Sequence, residues 1–140
     1  MKKIPFTIFT SLAIVVLSLA PLPDNPPLES VPFIDKWVHF VMYGGLVLAC
    51  WLDCRLYRTE RGYGSDEKSK SGTTADMGRN VRHVFVFFLY ASFLGGLMEL
   101  AQSLTSYRSG DIVDFYADVF GAGLMGLILL LVCLKVGSKN

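Results

Sequence analysis

ELAQSLTSYRSGDIVDFYAD, residues 99–118, is the stretch that decides how this chain folds. One apolar segment ends in it and another begins, yet it carries Glu99, Gln102, Arg108, Asp111, Asp114 and Asp118. Hydrophobic runs on either side place these groups at, or just inside, a membrane boundary. An ionisable side chain at membrane depth costs about 2.5–3.5 kcal/mol on insertion scales, so it marks a function or a specific pairing.

Outward from this stretch, the composition fits an apolar solvent. The 140 residues are 52% hydrophobic and 18% charged, with a mean hydropathy of +0.45. The length suits one domain, residues 1–140; no nucleic-acid partner is expected, and the net charge of +1 says less than how the charges are distributed. The apolar residues fall in four blocks, approximately 4–20, 36–52, 83–102 and 112–134. Each approaches the roughly 20 residues that a helix needs to cross a bilayer. The expected class is an all-α integral membrane four-helix bundle.

The first block follows Met1-Lys2-Lys3 and resembles a secretory signal peptide, but Pro21 at the first mature position disfavours cleavage. It therefore reads as an uncleaved helix. Residues 21–34 hold five of the six prolines, which remove backbone donors and bias their predecessors away from helix. Residues 53–82, rich in Gly, Ser, Thr and charge, read as a flexible cytoplasmic loop.

With both termini cytoplasmic, eleven of the thirteen basic residues lie inside, leaving Lys36 and Arg108 outside. The positive-inside bias then gives an N-in, C-in topology. Each outside cation has acids nearby in sequence and is expected within about 4 Å of one. The candidates are Asp35 or Glu99 for Lys36, and Asp111 or Asp114 for Arg108. Cys50, Cys54 and Cys133 fall at cytoplasmic helix ends, where disulfides are rare. No further pair or histidine completes a metal site around them, and they read as small apolar fillers.

The second block opens DKWVHFVMYGG, residues 35–45, with Lys36, His39 and Tyr43 on one helical face. Asp35 reads as an N-cap and Trp37 as an interfacial aromatic. His39 lies about one turn into the apolar region and needs a partner. In the third block Gly95-Gly96 permit close helix approach, and Glu99 shares a face with Gln102. Glu99 sits on the order of 5 Å below the helix end, so it must be paired, protonated or in a wet cleft. Asp111 is placed to cap the fourth helix, and its dipole favours Asp114. Neither effect accounts for Asp118, nearly two turns deep. Gly121, Ala122, Gly123 and Gly126 follow as a small-residue surface.

These faces converge at one end of the bundle, so Lys36, His39, Tyr43, Glu99, Gln102, Arg108, Asp111, Asp114 and Asp118 are expected to line a single cleft. Its acids exceed what two ion pairs require. The excess implies protonated carboxylates, a bound cation or a donor-rich headgroup.

Asp35-Lys36 with His39 and Tyr43, then Gly95, Gly96, Glu99, Gln102, Arg108, Asp111, Asp114 and the glycine-bearing fourth helix, together resemble the VanZ-like family over nearly the whole chain. Asp118 stands where that family usually carries asparagine. The family is named for a protein that confers low-level teicoplanin resistance. The resemblance implies a multi-pass protein of the bacterial cytoplasmic membrane that works in the cell envelope.

The functional expectation is binding or handling of a membrane lipid or lipid-linked envelope precursor at the outer leaflet, with phosphate met by Lys36 and Arg108. One alternative is a membrane enzyme using His39 or Glu99 as acid/base; another is a structural subunit of a complex. There is no nucleophilic Ser or Cys beside His39 and no metal-binding spacing such as HExxH, so neither cofactor nor metal is implied. Proton-coupled transport would require a homo-oligomer.

The topology is checked by cysteine accessibility. Ser106→Cys should react with an impermeant maleimide added to intact cells, and Ser69→Cys only after lysis. The reverse pattern would place the cleft on the cytoplasmic side.

Overall fold

Helix-forming apolar blocks separated by Pro- and Gly-rich punctuation become four α-helices in the computed structural model, which describes residues 5–20, 33–60, 74–106 and 110–137. They are α1 (Phe6–Leu19), α2 (Ile34–Glu60), α3 (Thr74–Ser103) and α4 (Ile112–Gly137), with no strand among the described residues. At 1.5 Å per residue, α2, α3 and α4 are each about 39–45 Å long, exceeding the roughly 30 Å hydrocarbon core. All three are apolar enough to cross it. The 14-residue α1 is apolar but only about 21 Å long.

The exterior is largely apolar, and several polar groups lie in the interior beside the apolar core. Phe9, Phe93 and Phe120 are 69%, 68% and 71% exposed, while His39, Gln102, Asp114 and Asp118 are buried. Water would penalise that distribution and lipid tails favour it, so the chain is a membrane protein.

The expected loop at 53–82 is shorter in the structure. Residues 53–60 continue α2 and residues 74–82 open α3, while 61–73 lie outside the described residues. Polar side chains do not end a helix whose backbone bonds are satisfied internally. The Arg55 guanidinium, for example, lies 4.4 Å over the Trp51 ring, an anchor of the kind found at membrane interfaces.

Chain order alternates direction, so α2 and α4 run parallel and α3 opposes both. Small residues bring α2 and α4 together. A Cβ on Gly44 would meet the Gly121 carbonyl oxygen at 3.2 Å, and one on Gly121 would overlap the Phe40 carbonyl. The core around this contact includes Tyr43, Leu46, Val47, Ala91, Ala122 and Leu129.

On the other side, α1 is clamped at both ends. The Asp53 carboxylate of α2 accepts the Phe6 and Thr7 backbone N–H groups at 2.9 and 2.7 Å. The Gln102 amide of α3 donates to the Ser18 carbonyl at 2.9 Å. All three bonds satisfy helix-end groups that lipid cannot.

Gly121→Val should force α2 and α4 apart and cost roughly 1–3 kcal/mol or more, as overpacking does. Gly45→Ala, whose added Cβ meets open space, should be neutral or stabilising. Thermal melts of the detergent-solubilised protein, followed by size-exclusion chromatography, check the pair.

Candidate functional site

The site is assembled from three helix ends: the start of α2, the end of α3 and the start of α4. The sequence sets each end. Asp111 caps α4, accepting the Val113 N–H at 2.9 Å, and this bond holds its carboxyl below the ordinary carboxylate range. Asp35 does not cap α2 as expected. The helix begins one residue earlier, at Ile34, which leaves Asp35 in the first turn, free to pair with its neighbour. Close packing joins α3 to α4, since a Cβ on Gly110 would lie 2.6 Å from the Glu99 carbonyl oxygen. The Asp111 N–H then donates to Glu99 Oε2 at 2.8 Å.

The polar groups form two layers. In the outer layer, Lys36 Nζ lies 2.8 Å from Asp35, 3.3 Å from Asp111 and 2.9 Å from Asp114. Three carboxylates thus take the three N–H donors of one ammonium. Lys36 pairs with Asp35 as expected, and with Asp111 and Asp114 in place of Glu99. Arg108 lies outside the described residues, while Asp111 and Asp114, its expected partners, are the acids that meet Lys36.

The inner layer is His39, Glu99 and Asp118. His39 Nδ1 lies 2.9 Å from Asp118 Oδ1 and 4.0 Å from Glu99 Oε1. Asp118 is fully buried, and the Tyr43 ring stacks against His39 with centroids 6.4 Å apart. Gly95 makes the room: a Cβ there would stand 2.7 Å from Asp118 Oδ2. Glu99 Oε1, Asp118 Oδ2 and the Tyr43 hydroxyl are buried without a hydrogen-bond partner. Unsatisfied buried acceptors of this kind are rare and call for an occupant or a role.

Of the expected residues, Lys36, Asp111 and Asp114 form the rim, and His39, Tyr43, Glu99 and Asp118 form the interior. Gln102 is buried nearby but holds α1 in place. Two contacts escaped sequence reasoning. Asp53 reads in the sequence as the start of a loop, although an acid closing an apolar run is a signal for a helix-end partner. His83 Nδ1 comes 3.8 Å from Cys54 Sγ, a histidine 29 positions away that no short spacing would reveal. Cys50 and Cys133 are buried, as fillers should be.

No family model, curated protein or solved structure matches this chain.

The outer layer predicts a charge effect. Lys36→Met leaves three acids facing one another and should cost roughly 1–3 kcal/mol, less than at a fully buried pair because Lys36 remains 22% exposed. Adding Asp114→Asn should recover part of that loss. A double-mutant cycle on thermal stability measures the coupling, and strict additivity would show that the two residues do not act as a pair.

Proposed function

We propose that this chain binds a lipid or lipid-linked precursor of the bacterial envelope through its polar headgroup, at the outer leaflet of the cytoplasmic membrane. In this reading the protein is multi-pass, N-in and C-in, and VanZ-like in kind, with an effect on teicoplanin susceptibility as one expected consequence. The observation that carries it is a set of unpartnered acceptors, Glu99 Oε1 and Asp118 Oδ2, beneath an acidic rim at one end of a membrane bundle. Acceptors so placed attract amines, sugar hydroxyls or a cation from the headgroup region.

The pairing of Lys36 refines the chemistry. Its donors are already engaged by three carboxylates, so a phosphate would have to displace one of them. The rim therefore favours the donor-bearing part of a headgroup over its phosphate.

A membrane enzyme is the second reading, with His39 or Glu99 as acid/base. It draws on the His39–Asp118 bond, since a carboxylate on Nδ1 fixes the orientation of an imidazole.

Glu99→Gln keeps shape and removes charge, so it separates ligand binding from packing. Lipid mass spectrometry on gently purified protein should find a discrete headgroup class on the wild type and at least a tenfold loss in the variant, with thermal stability near wild type. Equal retention by both would leave the cluster a packing device, and turnover of the retained lipid would establish the enzyme reading.

A further inference from the structure

The inner layer has the makings of a metal centre, and three separate observations converge on it. The first is geometry. One ligand atom each from His39, Glu99 and Asp118 lie within 4.8 Å of one another, with the His39 Nδ1 separations at 2.9 and 4.0 Å. A point equidistant from three atoms so spaced lies roughly 2.0–2.4 Å from each, close to the bonds that divalent cations make to imidazole nitrogen and carboxylate oxygen.

The second is unmet bonding capacity. Tyr43 and Asp118 are both 0% exposed, and the Tyr43 hydroxyl and Asp118 Oδ2 have no hydrogen-bond partner. Tyr43 stacks on His39 and its hydroxyl is within electrostatic range of Glu99 and Asp118. It is a buried polar group one turn deeper than His39 on α2, with its bonding capacity unmet.

The third is charge. Two ionised carboxylates with a neutral imidazole carry −2 in an apolar surrounding, a costly state unless compensated. Lys36 does not compensate it, being committed to Asp35, Asp111 and Asp114. A proton on His39 leaves −1, whereas one divalent ion brings the group to zero. The rim acids Asp35 and Asp111, 48% and 43% exposed, form an electronegative mouth above the cluster that would concentrate cations.

We propose that His39 Nδ1, Glu99 and Asp118 bind one divalent first-row transition-metal ion, of the Zn2+ or Mn2+ kind, in the membrane-embedded end of the bundle. The ion takes the place of the proton that Nδ1 otherwise shares with Asp118. The imidazole selects such ions over Mg2+ and Ca2+, which prefer all-oxygen ligands. Three protein ligands leave coordination positions open, as in metal sites that also hold a water or a ligand. This inference draws on the same unmet acceptors as the lipid reading, but its test uses metal ions alone and its outcome does not depend on any lipid.

The experiment is isothermal titration of detergent-solubilised, EDTA-stripped full-length protein with Zn2+, repeated with Mg2+, together with the absorption and X-ray absorption spectra of the Co2+ form. The expected result is one equivalent of Zn2+, bound at least 100-fold more tightly than Mg2+. Asp118→Asn and Glu99→Gln should each weaken it at least tenfold in protein that stays monodisperse, and Cys54→Ala should leave it unchanged. The Co2+ spectra should report one imidazole, oxygen ligands and no sulfur; they are read on the wild type, so this arm holds even if a variant does not fold. Absence of a stoichiometric site, equal affinity for Mg2+, sulfur ligation, loss of binding in Cys54→Ala or full binding in both carboxylate variants would each overturn the assignment.

Discussion

The hydrogen bond between His39 and Asp118 is the contact on which the arrangement of this bundle turns. Asp118 has no exposure to solvent, and a carboxylate in that position is tolerated only where its partners are already in place. His39 supplies the bond, Gly95 supplies the space, and α2 and α3 must both lie close to α4 for the two to act together. The glycine contacts at Gly44 and Gly121 allow that approach between α2 and α4. Packing and polar chemistry are therefore coupled. The small-residue surface that brings the helices together also fixes where the buried acid stands.

The two polar layers solve different electrostatic problems. At the rim, one ammonium meets three acids close to the interface, where partial exposure lowers the cost of incomplete compensation. Deeper in, His39, Glu99 and Asp118 lie beyond that cation's immediate pairing and retain unpartnered acceptors. A purely structural network tends toward complete satisfaction, because each orphaned acceptor in an apolar medium is a standing cost. The incomplete satisfaction of this inner layer makes it the part of the bundle whose bonding capacity is least met by the chain itself.

The shortest helix obeys the same constraint by borrowing. α1 has no side-chain cap of its own at Pro5, and its terminal backbone groups find Asp53 on α2 and Gln102 on α3 instead. The shortest helix is thus held along its neighbours by two side chains that close its hydrogen-bonding ends. This accounts for Asp53 and Gln102, two polar residues within otherwise apolar segments, as fully as the inner cluster accounts for Asp118.

The sequence by itself determined the class and the composition of the site. Block-wise apolarity sets four helices, because length and hydropathy are local properties. Polar residues inside those blocks identify His39, Glu99 and Asp118 without any knowledge of contacts, because their cost at membrane depth is local too. Tertiary structure decided the partnerships. Lys36 chose Asp111 and Asp114 over Glu99, Gln102 turned to α1, and polar residues 53–60 stayed helical because backbone bonding does not depend on side-chain polarity. The His39, Glu99 and Asp118 triad could not be read from spacing, since its members come from three helices 60 and 19 positions apart along the chain. Metal-ligand motifs are legible in a sequence when one turn or one helix presents them. Here helix packing brings the ligand atoms together, and packing is a property of the folded chain alone.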